Sequence, residues 1–179
     1  KFVQPKDVFS ADERKADRLT TPVQRVAILS FNLLGLPAAT GNVDWDWMRE
    51  ELAALPNSEP QSERQLFAIR LDQLTHKIAP DAAIARYSAL IAATPADRKF
   101  SWTGAKDPDR LDSYFDPFGN LTIRQRALLE LARAQAEAGQ MDAAKSGFDA
   151  LVHALNGQQA FQAQTYAPLY LWPVMAEGK

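Results

Sequence analysis

Apolar residues recur three and four positions apart along most of the chain, which is the spacing of amphipathic α-helices. The clearest runs predict helices over 64–79, 80–94, 121–139 and 140–156. Earlier in the chain, Thr21 and Pro22 are a plausible cap and first-turn proline for a helix over 22–36. Asp44 or Asp46 can cap a short helix that ends at Leu55, and one more short helix is expected before Pro168. The pattern therefore predicts an all-α fold.

The regular helices are expected to form antiparallel hairpins. The helices over 64–79 and 80–94 are joined by almost nothing, since Pro80 begins the second one directly. So short a connection forces the two helices to run antiparallel. The helices over 121–139 and 140–156 form a second hairpin with Gly139 at its turn.

The second hairpin has large apolar, small, turn and aromatic residues at regular places in the segment LLELARAQAEAGQMDAAKSGFDALVHALN. In chain order these residues are Leu128, Leu131, Ala132, Gly139, Ala144 and Phe148. The segment resembles a tetratricopeptide repeat, a helix–turn–helix unit of about 34 residues. In that family the small residues let two helices lie close together and the aromatic ring fills the hairpin. Asn156 stands where the family's closing proline is expected.

A second copy of the pattern lies 61 residues earlier in the chain. Its small, aromatic and closing-proline positions are Ala83, Tyr87 and Pro95. The first helix of this copy departs from the family, because Arg70 and Leu71 stand where a large apolar residue and a small one are expected. The separation of the copies also exceeds the family's period of about 34 residues, so an insertion must lie between them.

The chain divides into a charged N-terminal arm over 1–21 and a single helical domain over 22–179. Tetratricopeptide-like hairpins at about 64–96 and 122–156 are separated by an inserted loop over 97–121. Two hairpins cannot bury their own apolar faces, since such arrays usually need at least about three units. We therefore expect a short, irregular α-solenoid that is capped by the N-terminal helix and by an aromatic C-terminal tail.

The resemblance implies a scaffold whose groove holds a partner's peptide or helix, and it implies no chemistry. The inserted loop and the tail carry aromatic side chains that are candidates for contacting such a partner. These candidates are Trp102, Tyr114, Phe115, Phe118, Tyr170 and Trp172. The alternative is that the aromatic rings cover apolar surface of the hairpins.

Composition and motifs give little support to chemistry. The net charge is −2 with both signs interspersed, so no basic surface for nucleic acid is expected. The chain has no cysteine, and its two histidines, His76 and His153, lack the spacing of a zinc site. The glycine-rich phosphate loops and the GxSxG elbow are also absent. We therefore expect no cofactor, no metal and no enzymatic activity.

The segment around Asp44 and Asp46 has a chemical alternative. Trp45 and Trp47 could stack on a sugar ring while these carboxylates and Glu50 act as general acid and base. The simpler interpretation is a helix start with capping acids and an aromatic anchor.

No apolar stretch is long enough to cross a bilayer, and the longest, over 26–39, is interrupted by polar residues. The chain begins with Lys1 rather than Met, which favours an exported or periplasmic protein over a cytoplasmic one. The main hypothesis is a non-catalytic scaffold or adaptor for a protein partner. The alternatives are an accessory subunit of a larger membrane-associated or periplasmic complex, docked through its arm and tail, and a carbohydrate-binding or carbohydrate-active protein that uses residues 44–47.

Overall fold

The computed structural model describes residues 22–34, 43–55, 61–100 and 121–155. Within these ranges the chain forms six α-helices and no strand. They are α1 (Pro22–Leu34), α2 (Trp45–Ala53), α3 (Gln61–Leu74), α4 (Pro80–Ala93), α5 (Ile123–Glu137) and α6 (Met141–Ala154). The all-α class predicted from the sequence is thus confirmed for this part of the chain. None of these helices combines the length and apolarity that crossing a bilayer requires.

Local signals in the sequence set where several helices begin. Of the two aspartates that could cap α2, Asp44 is the cap, and its carboxylate accepts a hydrogen bond from the backbone N–H of Trp47 at 3.1 Å. Thr122 and Gln125 form a reciprocal capping box at the start of α5, which satisfies two backbone N–H groups that the helix leaves open. Pro80 lies in the first turn of α4, as predicted.

The connection between α3 and α4 is longer than predicted. Helix α3 begins at Gln61 rather than at 64, and it ends at Leu74 rather than at 79. His76 follows with a left-handed φ of 54°, so it lies in the turn and not in the last turn of the helix. The backbone N–H groups of His76 and Lys77 donate to the carbonyls of Gln73 and Asp72. This pair of hydrogen bonds is the Schellman motif, which ends a helix even where apolar periodicity continues.

The turn between α5 and α6 closes in the same way. Gly139 has a φ of 77°, and its backbone N–H donates to the carbonyl of Ala136. The N–H of Gln140 donates to the carbonyl of Gln135. Glycine adopts this left-handed conformation without steric cost, whereas the histidine of the first hairpin does not.

Helix α5 is the central element. It packs most extensively on α6 and α4, and it also touches α3. Helices α1 and α2 pack on each other and on α3. The two hairpins, α3–α4 and α5–α6, therefore lie side by side through α4 and α5.

The apolar core has two parts. The larger part lies among α1, α2, α3, α4 and one side of α5, and includes Leu29, Met48, Phe67 and Tyr87. The smaller part lies between α5 and α6. It consists of Leu121, Leu129, Ala132, Phe148, Leu151, Val152 and Leu155, with Leu128 at its edge.

Candidate functional site

Three arginines and two glutamates meet where α3 faces α5. We call this group the arginine cluster: Arg70, Arg126, Arg133, Glu130 and Glu137. The carboxylate of Glu130 lies 3.1 Å from Arg126 Nη2, 3.5 Å from Arg70 Nε and 3.8 Å from Arg133 Nη1. Glu137 lies 3.7 Å from Arg133 Nε and 3.9 Å from Arg70 Nη1. All but Glu137 are buried, so the cluster is part of the interior.

The positions of these residues follow from helix geometry. Arg126, Glu130, Arg133 and Glu137 are spaced four, three and four apart on α5, which places them on one face of the helix. A charged stripe of this kind ordinarily faces water. Here α3 brings Arg70 against it, and burial is tolerated because the opposite charges are paired.

The C-terminal end of α1 completes the cluster. Arg70 Nε donates a hydrogen bond to the carbonyl oxygen of Leu33 at 3.1 Å, and Arg126 Nη2 donates to the carbonyl oxygen of Leu34. The last carbonyls of a helix have no partner within it and carry the negative end of its dipole. Because the cluster has three cationic and two anionic side chains, these carbonyls supply negative partial charge where it is needed.

A polar chain extends the cluster toward α4. The side-chain amide of Gln73 donates to Glu137, and its carbonyl oxygen accepts a hydrogen bond from the Tyr87 hydroxyl at 3.1 Å. Burial, and then the nearby charge of Glu130, raises the pKa of Tyr87 well above its ordinary value of 10.0. The phenol therefore stays protonated and serves as a donor. Through this chain the cluster joins α1, α3, α4 and α5.

The positions that carry the family resemblance lie mostly inside the protein. Tyr87, Ala83, Ala132 and Ala144 are buried, and Phe148 has 9% of its surface exposed. The remaining positions are Leu128 and Leu131, which are half-buried, Gly139 at the turn, and Pro95, which is exposed.

The six aromatic residues predicted to contact a partner lie outside the described residues. They are Trp102, Tyr114, Phe115, Phe118, Tyr170 and Trp172. The N-terminal arm over 1–21 lies outside them as well.

Of the tryptophan pair considered for sugar binding, Trp47 is buried and Trp45 is half-buried against the core. Trp47 is 8% exposed, and its indole N–H donates to Glu51 at 3.1 Å. Glu51 is also bound by Arg25, from α1, at 2.7 Å. The ring of Trp47, enclosed in this way, has no open face to stack on a sugar. Within the described ranges, no group of three potential ligands could hold a metal ion.

A cleft of about 310 Å³ lies between α2 and α3. We call it the α2/α3 cleft. Its lining residues are Arg49, Leu52 and Ala53 from α2, Arg64, Ala68, Leu71 and Asp72 from α3, and Lys77 from the following turn. It combines an apolar floor with a charged rim.

Neither the arginine cluster nor this cleft was predicted from the sequence. A signal for the cluster exists in the charged spacing of 126, 130, 133 and 137, but the same spacing is common on solvated helix faces. In the sequence, Arg70 is distinguished only as a departure from the repeat pattern.

Comparisons of the chain with family models, with curated proteins and with solved structures find no match. Inference about function therefore rests on the geometry of the described residues.

Proposed function

We propose that this protein is a non-catalytic scaffold that binds a partner protein through stacked helical hairpins. The observation that carries the proposal is the extensive packing of α4 against α5, which joins the hairpins α3–α4 and α5–α6 into one helical layer. Helical layers of this kind present extended surfaces to partner peptides and helices.

The second helices of the two hairpins have the same pattern of buried small and aromatic residues, which supports a tetratricopeptide-like arrangement. Ala83 in α4 and Ala144 in α6 are both buried, and each is followed four residues later by a buried ring, Tyr87 and Phe148. Both first helices end in the same Schellman motif. Small residues at these positions favour a close approach of each pair of helices, because alanine places only a methyl group between the backbones.

A scaffold must also hold its helices in one arrangement, and the arginine cluster can do so. Arg70 contacts both Glu130 on α5 and the carbonyl of Leu33 on α1, so its guanidinium links α3 to two other helices. Buried charges tolerate few alternative packings, because any shift leaves a charge unpaired in the interior.

Site-specific photo-cross-linking in the native host tests the proposal. The photoreactive residue p-benzoylphenylalanine is placed at Ala85 of α4 or at Ala150 of α6, both of which are exposed, or at Ala68, which lines the α2/α3 cleft. We expect at least one position to yield a discrete cross-linked species whose second component is a protein. The matched control carries the same probe in a chain with Ala144→Asp, which should disrupt the hairpin and abolish the species. If no position yields a discrete protein partner, the scaffold proposal is wrong.

A further inference from the structure

The α2/α3 cleft has an amphipathic lining. Leu52 from α2, with Ala68 and Leu71 from α3, supplies the apolar floor. Ala68 and Leu71 are three positions apart, so they lie on one face of α3. A volume of about 310 Å³ is at the small end of ligand pockets, and it suits one or two side chains better than a cofactor.

The rim of the cleft is basic. It carries three cationic residues, Arg49, Arg64 and Lys77, and one acidic residue, Asp72. The carboxylate of Asp72 is already paired with Arg86, whose Nη1 lies 3.0 Å from Asp72 Oδ2. Arg49 is likewise paired with Asp46 on its own helix, through its Nη1 and the Oδ1 of Asp46. Arg64 and Lys77 therefore leave an excess of positive charge around the opening.

Cationic side chains lie near both ends of the apolar floor. Arg64 lies at the first turn of α3, where its Nη1 donates to the carbonyl of Leu55 at 3.1 Å. Lys77 follows the last turn of the same helix and is exposed. At a rise of about 1.5 Å per residue, the length of α3 between Arg64 and Leu74 is about 15 Å, so a ligand of a few residues would meet a cation at each end.

We propose that the α2/α3 cleft docks a short acidic segment of a partner protein, with an apolar side chain on the floor and carboxylates at the two ends. This inference rests on the proposed function for the existence of a protein partner, and it adds the docking surface and the charge of what binds there. Charge complementarity selects an acidic segment. The apolar floor favours a peptide over a nucleic-acid backbone, which would leave that floor uncovered.

Synthetic peptides test the inference directly. The full chain, labelled with nitrogen-15, is titrated with the peptide Ac-EELEE-NH2 while its amide resonances are followed by NMR. We expect the shifts to concentrate on residues of α2, α3 and Lys77, and the affinity to weaken as salt is added. The charge-reversed peptide Ac-KKLKK-NH2 and the peptide Ac-EESEE-NH2, which lacks the apolar side chain, should both bind much more weakly.

Variants with altered charge show which residues of the protein bind the acidic peptide. Lys77→Glu should weaken binding of the acidic peptide about tenfold, because an attraction becomes a repulsion. Arg49→Gln should weaken binding of the acidic peptide less. This variant tests the cleft independently if the turn does not tolerate Lys77→Glu. Lys145→Glu, at an exposed position on α6, should leave the affinity unchanged.

Three results would overturn the inference: equal binding of the lysine peptide, shifts confined to α4 and α6, or an oligothymidylate that binds the same residues more tightly than the acidic peptide. If a partner protein cross-links at Ala85 or Ala150 while the acidic peptide leaves the cleft unaffected, the inference fails and the scaffold proposal stands. If no partner cross-links anywhere, the scaffold proposal fails whatever the peptide does.

Discussion

Arg70 on α3 and Glu130 on α5 face each other across 3.5 Å, and their side chains are 1% and 0% exposed. A carboxylate that has left water is costly unless opposite charges surround it. Glu130 has three arginines within 3.8 Å, and two of them also donate to the last carbonyls of α1. One buried carboxylate therefore links the first helix of the described region to both hairpins.

Replacing this carboxylate should be among the most damaging single changes. Glu130→Gln keeps the shape of the side chain but removes the carboxylate charge that lies within 3.8 Å of all three buried arginines. We expect a loss of about 3–5 kcal/mol in the free energy of unfolding, measured by urea denaturation at neutral pH. The control is Asp72→Asn, which breaks the solvated pair with Arg86 and should cost less than about 1 kcal/mol. Equal losses in the two variants would contradict a paired, buried cluster.

The buried phenol of Tyr87 predicts a loss of stability in alkali. Its pKa in the folded protein is raised above the ordinary 10.0, so the unfolded chain releases this proton first. The stabilising contribution is thus complete below about pH 10 and declines above it, by about 1.4 kcal/mol for each pH unit.

Comparison with Tyr87→Phe isolates this effect. The variant should lose about 1 kcal/mol at neutral pH, because the hydrogen bond to Gln73 is gone. Above pH 10 its free energy of unfolding should fall less steeply than that of the parent, as measured by urea denaturation at several pH values. Parallel curves for the two proteins would show that Tyr87 ionises normally.

The close approach of α5 and α6 should not accommodate a large side chain at Ala144, which is 2% exposed. Ala144→Leu should lower the free energy of unfolding by about 1–3 kcal/mol, because the added atoms must displace the facing helix. The neighbouring residue Ala143 is exposed, and Ala143→Leu should change stability by less than about 0.5 kcal/mol. Thermal denaturation of the two variants provides the comparison, and similar melting temperatures would mean that the helices do not pack closely at this point.

Alanine should have opposite effects on stability at Gly139, in the turn between α5 and α6, and at Gly147, within α6. Gly139 has a φ of 77° with open space around it, so Gly139→Ala should cost about 1 kcal/mol through backbone strain alone. Gly147 lies within α6, where an added Cβ would meet only Gln135 Oε1 at 3.6 Å, and Gly147→Ala should gain about 0.5–1 kcal/mol. A loss of stability at both positions would contradict the left-handed turn as the source of the difference.

The sequence predicted those features that depend on neighbouring residues. Pro80 at the start of α4, Gly139 at the turn and an aspartate (44 or 46) at the cap of α2 each act within a few positions of themselves, so their effect can be predicted from the chain alone. Only the structure chose Asp44 over Asp46. The end of α3 was placed too late, because Ile78 continues the apolar pattern beyond Leu74. What ends the helix is the left-handed backbone of His76, a conformation for which histidine gives only a weak signal.

The chain by itself determined which segments become helices and that consecutive helices pair, because caps, turns and a period of 3.6 residues are local properties. Only the tertiary structure decided that the charged face of α5 is buried. Arg126 reaches the carbonyl of Leu34 across 92 positions of sequence, and Arg70 reaches Leu33 across 37. The burial of a charge depends on partners that folding brings from distant parts of the chain. The spacing of charged residues along one helix does not show whether such partners pack against it.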